Sequence, residues 1–462
     1  MTETPRKITL DEWDRSFETL QLSSSEMPSY WGCLGRHVAD GDHRLLRLSF
    51  DNSPAALRLW NFLLTEEDRL FDAKLRGKKI IGTMKDLGTI PVMVYSFENA
   101  IAFYPDGAWW TPCIMEGGDG LFAAADAMGF DDSFCPVRAV LGAFKRKDRF
   151  PIPDMLICSV GATCDDFSAV AQRIEVMGHE ILWWEVPHRR WPERNEPVAE
   201  LPGGEIAPRF LVEIVREEII RIKSILERCV GEPLDDMKLR RSIQRANIVR
   251  SLIHNLRRIV FMAPVCPLPA LELQIAEMLA LHFCSDYFEC VEVLKELLVE
   301  VESRVAQGWG FLTENAVKVF WVNPVADLKI MNLLEDCGGR LCGTDFMFTH
   351  SLDLIPEDVE PLEALARMAL ADPMVGSAHD RARRIIRDAQ CFGAEALIVS
   401  RIPGASHCAY EGEIIKESVP KELEIPVVEI ETASITDASG SAIQTRIEAL
   451  IENARQKRTP FD

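Results

Sequence analysis

The chain has 462 residues, 47% of them hydrophobic and 27% charged, the composition of a folded protein too long for a single core. Its 72 acidic against 51 basic side chains leave a formal charge of −21, which argues against nucleic acid or an anionic membrane as partner, since both want basic surface. The 13 cysteines are odd in number and include no CxxC pair, so neither a secreted disulfide framework nor a zinc ribbon is indicated.

Taken in order, the N-terminus MTETPRKITLDEWDR lacks the apolar centre of a signal peptide, and no later apolar run approaches the ~20 residues of a membrane span. The expected location is cytoplasmic, with no membrane partner. Residues 1–75 read as a helical N-terminal extension. Strands are expected at Lys79–Thr83, Pro91–Tyr95, Met155–Ile157 and Glu180–Val186, and helices at Asp119–Met128, Pro136–Phe144 and Asp165–Met177. This alternation predicts a parallel α/β lobe over residues 76–208. Its end, Pro187–Pro208, holds five prolines and the pair Gly203–Gly204, which marks a change of architecture.

Residues 209–310 read as a helical insert, with helices at Phe210–Val230, Asp235–Val260, Leu268–His282 and Asp286–Arg304. The charges at Arg216, Glu217, Glu218, Arg221 and Lys223 fit a solvated helix face. A second α/β lobe over residues 311–462 is expected from strands Val317–Val322, Arg340–Gly343, Ala396–Ser400 and Ile425–Ile430. Helices Ala326–Cys337, Pro361–Leu370, Ala378–Cys391 and the C-terminal Ser441–Ala454 accompany them. The fold class is therefore α/β, two parallel-sheet lobes with a helical insert between them. No residue-level repeat relates the lobes.

The stretch Ser133–Phe167 organises the chain. Cys135 stands just ahead of the helix-favouring Pro136, and Cys164 opens the next helix with Asp165 and Asp166 in its first turn. Ligands of open α/β sheets sit beyond the carboxyl ends of the strands, where helix N–H groups favour a thiolate. Cys158, inside a strand, reads as a small core residue. Cys408 follows a second-lobe strand through the loop RIPGASHC, again beyond a carboxyl end. Spacing alone leaves each of these open as a loop thiol with no ligand role. Cys113 is a further loop candidate, while Cys337 and Cys342 are explained by packing. Cys229, Cys266, Cys284, Cys290 and Cys391 are expected in the core. His407 is placed to donate a hydrogen bond to a sulfur, or is merely exposed. No P-loop, dinucleotide fingerprint, GxSxG elbow or HExxH helix occurs.

With their neighbours, three of these cysteines carry a resemblance. The segments Phe134–Cys135–Pro136–Val137–Arg138, Gly161–Ala162–Thr163–Cys164–Asp165, Cys408, Ile425–Pro426–Val427 and Gln444–Thr445–Arg446–Ile447–Glu448–Ala449 resemble the 2-hydroxyacyl-CoA dehydratase (2-hydroxyglutaryl-CoA dehydratase) and benzoyl-CoA reductase subunit family. The likeness runs from about residue 78 to 456. It implies a [4Fe–4S] cluster held by Cys135, Cys164 and Cys408, with Asp165, His407 and Arg446 as neighbours of the site. It also implies an acyl-CoA or aromatic acyl-CoA substrate, a homologous second subunit, and a separate ATP-hydrolysing iron–sulfur activator that supplies the electron for radical chemistry. The activity implied is that of a lyase or an oxidoreductase. Loop cysteines such as Cys113 leave open a homodimeric double-cubane reductase of small molecules. A two-lobed small-molecule binding protein without redox chemistry is the rival outside the enzymes. The insert segment Leu268–Leu298 is the expected subunit contact.

Overall fold

The structure, a computed structural model, describes residues 4–19, 30–39, 43–86, 88–105, 119–147, 149–161, 164–325, 327–345, 347–431 and 437–458. Two four-stranded, wholly parallel sheets carry it. The first comprises β1 (Lys79–Met84), β2 (Ala100–Phe103), β3 (Met155–Gly161) and β4 (Ile181–Val186), in the order β2-β1-β3-β4. The second comprises β5 (Val317–Val322), β6 (Gly339–Asp345), β7 (Ala396–Arg401) and β8 (Val427–Glu431), in the order β6-β5-β7-β8. The two lobes thus have the same topology. In each, the strand order reverses between the first and third strands, the place where α/β sheets bind ligands. Near-continuous apolar runs make up the central strands because helices cover both faces of a parallel sheet. In β7 only Arg401, at the carboxyl end, is exposed.

Two expected elements take a different form. Pro91–Tyr95 is not a strand; Ile90–Val94 is a short helix. Asp86 dictates this by accepting the N–H groups of Thr89 (2.9 Å) and Ile90 (2.6 Å), with Pro91 fitting the first helical turn. The strand pairing with β1 on that side is instead Ala100–Phe103. The stretch after β7 is a loop only to Ala405, and Ser406–Leu423 forms a helix that carries Cys408 in its first turn.

Helices Arg209–Val230, Asp236–Met262, Ala270–Met278 and Tyr287–Gln307 lie between the two sheets in the chain. Every residue of Ala270–Met278 is buried within the chain, so the Leu268–Leu298 segment does not offer its first half as a subunit contact. Its Glu272 accepts from the Trp60 indole (3.1 Å) and the Asp51 amide (3.1 Å), and Asp51 in turn takes a bidentate pair from Arg304 at 2.6 and 2.8 Å. These bonds fasten the N-terminal residues to the insert. There Phe50–Asp51 pairs antiparallel with Lys7–Ile8, and Phe50 packs on Trp13 of helix Leu10–Thr19 and Trp60 of helix Pro54–Leu64, which helix Glu66–Leu75 follows. Cys266, Cys284 and Cys290 are buried as expected, whereas Cys391 is exposed near the end of the helix Ala378–Phe392. Among the described residues no helix is long and apolar enough to cross a membrane.

Candidate functional site

Cys164 and Cys408 occupy equivalent places in the two lobes. Each stands at the start of the helix that follows the third strand, Asp165–Val176 after β3 and Ser406–Leu423 after β7. The helix Asp165–Val176 touches both Ser406–Leu423 and the 3₁₀ turn Pro136–Arg138, which Cys135 precedes. Cys135 is half-buried and packs on Ile402 and Ala405, in the loop that leads to Cys408. Gly404 makes this approach possible. Its φ is +77°, and a Cβ there would lie 2.4 Å from the Phe134 carbonyl carbon, 2.6 Å from the Ser133 oxygen and 2.7 Å from the Cys135 nitrogen. Glycine at this position lets the two lobes meet backbone to backbone beside the cysteines.

Cys164 is half-buried and its thiol lies 3.5 Å from Asp166 Oδ2. Asp165, next to it, is exposed. Arg446 is exposed on the helix Asp437–Arg458 and reaches the Glu429 carbonyl of the edge strand β8 at 3.4 Å. The side chains of His407 and Cys408, and all of Cys113, lie outside the described residues. Cys158, fully buried in β3, has its thiol pushed up to about 12 by burial, which keeps it protonated as a core residue. Among the described side chains, which include Cys135 and Cys164 but not Cys408, no group of three or more His, Cys, Asp or Glu is arranged to hold a metal ion.

Charged residues absent from the sequence-based expectation cluster at the same strand ends. Lys85, the residue after β1, is buried at φ +58°, donates to Ser168 Oγ at 2.8 Å on the Cys164 helix, and has its ammonium pushed below the usual lysine value by burial. It lines a narrow interlobe cleft with Asp86, Thr89, His350 and Asp372. Across that cleft the second lobe holds a buried network. Arg381 Nη2 donates to Asp345 Oδ2 (2.6 Å) and Asn323 Oδ1 (2.7 Å), and its Nη1 donates to Glu411 Oε2 (2.9 Å). His350 Nε2 lies 2.8 Å from Asp345 Oδ1, and its Nδ1 lies 3.3 Å from Asp372 Oδ1. Burial works to raise the Asp345 carboxyl, but Arg381 and His350 outweigh it and hold the group well below the usual range. Burial lowers and the two aspartates raise His350, leaving it above the ordinary imidazole value. Glu411 lies one turn after Cys408 on the same helix, so Arg381 braces the segment that carries the cysteine.

Asn323, Asp345 and Ser400 sit at or just beyond the carboxyl ends of β5, β6 and β7, an address legible in the sequence once the strands are placed. Arg381 carried no such signal, because its partners Asn323, Asp345 and Glu411 come from three separate parts of the chain. No curated protein matches this sequence. The family model described as 2-hydroxyglutaryl-CoA dehydratase, D-component, matches residues 94–454, a span that holds Cys135, Cys164, Cys408 and the whole Arg381 network. The chain belongs to that family and is an enzyme of this dehydratase and reductase type.

Proposed function

We propose that the chain is the iron–sulfur subunit of an enzyme that carries out low-potential radical chemistry on acyl-CoA thioesters, dehydrating a 2-hydroxyacyl-CoA or reducing a benzoyl-CoA-type ring. In this proposal Cys135, Cys164 and Cys408 hold a [4Fe–4S] cluster. A homologous second subunit pairs with the chain, and a separate ATP-hydrolysing activator delivers the electron in the cytoplasm. Support comes from the contact at Gly404, which seats Cys135 of one lobe against the loop leading to Cys408 of the other. The donor set suits the group, since thiolates are the ligands iron–sulfur clusters take, and the bound cluster supplies one-electron transfer that ordinary side chains lack.

The chain's own residues have separate tasks. Lys85 sets a positive charge near Cys164 and Asp165, offsetting the negative charge that thiolate ligands bring. Arg381 fixes the Cys408 helix through Glu411. Cys135 and Cys164 are both half-buried, which limits the access of water to their sulfurs.

Iron and sulfide in the anaerobically purified protein test the proposal, with about four irons per chain expected for one cubane. Single changes of Cys135, Cys164 or Cys408 to Ala should each remove most of the iron, and Cys158→Ala should spare it. Full iron in Cys164→Ala, or an iron-free wild type, overturns the proposal. About eight irons per chain would replace one cubane by a double-cubane cluster.

A further inference from the structure

A second cavity, of about 530 Å³, lies at the opposite end of the first sheet from the cysteines, where Lys78 precedes β1 and Ala100 begins β2. Six basic side chains and three acidic ones line it, a local excess of positive charge on a chain of net charge −21. Among the described residues, the side chains of Lys78, Arg241 and Arg245 make no hydrogen bond or ion pair, and the Lys78 amide bonds the Ala73 carbonyl. Arg245 only lies over the rings of Tyr287 and Phe288, at 5.6 and 5.4 Å. Two of the acids are already engaged, Asp72 with Arg76 at 2.8 Å and Asp286 capping the Glu289 amide at 3.1 Å. Glu98 is the third.

The cavity also has an aromatic wall. Phe288 is 68% exposed and stands edge-on to Tyr287 at 5.2 Å. Beside it the backbone is strained: Phe283, Cys284 and Ser285 take φ values of +58°, +47° and +62° in succession. Backbone strain of this kind collects at ligand sites. Arg69 holds the turn by donating to the Cys284 carbonyl at 3.2 Å. Phe283 and Ser285 both face the cavity.

We propose that this cavity binds a nucleoside diphosphate moiety, with Lys78, Arg241 and Arg245 on the phosphates and Phe288 with Tyr287 against the base. Guanidinium groups without an ion-pair partner match phosphate oxygens in charge and geometry, and the exposed Phe288 ring beside the half-buried Tyr287 offers a base a stacking face. The volume suits a ligand of this size. The moiety occurs both in free nucleotides and in CoA, so ADP and CoA form two arms of the test, with inorganic pyrophosphate as the ringless control.

Calorimetric titration of the full chain at low salt should show ADP or CoA binding about tenfold more tightly than pyrophosphate, the gain expected from one stacked base. The arm that binds more tightly names the source of the moiety. The double variant Arg241→Glu/Arg245→Glu should weaken binding at least tenfold, and Phe288→Ala should bring ADP and pyrophosphate close to parity. Cys164→Ala should bind ADP as the wild type does, because the sites lie at opposite ends of the sheet. The proposal is overturned if none of the three ligands binds at millimolar concentration, if the double variant binds undiminished, or if Cys164→Ala abolishes binding.

Discussion

Replacing Gly404 by alanine isolates the contact on which the cysteine site depends. The added Cβ falls 2.4 Å from the Phe134 carbonyl carbon, where ordinary contact begins at 3.4 Å, so the two loops must part by about 1 Å. The obstruction is backbone on both sides, and no rotamer change relieves it. A left-handed conformation costs an alanine about 1–2 kcal/mol, and forcing packed segments apart adds about 1–3 kcal/mol. The expected loss is then about 2–5 kcal/mol, a fall in Tm of roughly 1 °C per kcal/mol if a chain of this length unfolds as one unit. The larger effect should be on iron, since the shift opens the approach of Cys135 to the Cys408 loop. Gly393→Ala is the control. Its φ is +68°, but its Cβ would meet only Lys318 Nζ at 3.9 Å, away from the cysteines. It should lose about 1–2 kcal/mol and keep its iron. The test measures iron after anaerobic reconstitution together with thermal unfolding. Full iron in Gly404→Ala with an unchanged Tm would refute the reasoning.

Arg381→Met leaves Asp345 and Glu411 without their guanidinium partner in the interior, and should cost about 3–5 kcal/mol in denaturant unfolding; a loss below about 1 kcal/mol would show that the network is not sustained by this residue. The His350 imidazole is raised above its usual 6.5 by Asp345 and Asp372, so its contribution is complete below that value and is lost as pH rises through the elevated one. Unfolding free energies measured from pH 6 upward should therefore fall on the alkaline side in the wild type, and His350→Gln should lack that part of the slope.

Much of the fold was legible because parallel strands buried on both faces are continuous apolar runs, as in VKVFWV and EALIVS. The failures have local causes. Pro91–Tyr95 has the composition of a strand, but the Asp86 carboxylate caps Thr89 and Ile90 and starts a helix. The signal was present as an acidic residue three positions before Thr89, with a proline in the first turn. The helix Ser406–Leu423 was obscured by Pro420 near its end and by the glycine-containing loop before it. The positions of Cys164 and Cys408 could be inferred from strand ends, but the approach of Cys135 across the lobes depends on Gly404, whose neighbours lie some 270 residues earlier. Nothing in the spacing of a sequence reports such a contact.

The equal topology of the lobes shows why no residue-level repeat accompanies it. Among the described residues, two helices separate the second strand from the third in each lobe: Asp119–Asp126 and Ala139–Arg146 in the first, Pro361–Ala371 and Ala378–Phe392 in the second. The approach to the second of these helices holds Cys135 in one lobe, while the other has Ser377, which caps its helix, followed by Arg381. One lobe therefore presents a soft sulfur donor where the other builds a buried arginine–carboxylate–imidazole network. At the following helix the lobes agree, since Cys164 and Cys408 stand at matching starts. Two cysteines come from the shared scaffold and one from the lobe that departs from its counterpart, and the network of the other lobe braces the shared cysteine through Glu411. The proposed ligand set draws on both lobes, and a chain that kept the symmetry at every position would lose either the sulfur of Cys135 or the Arg381 brace.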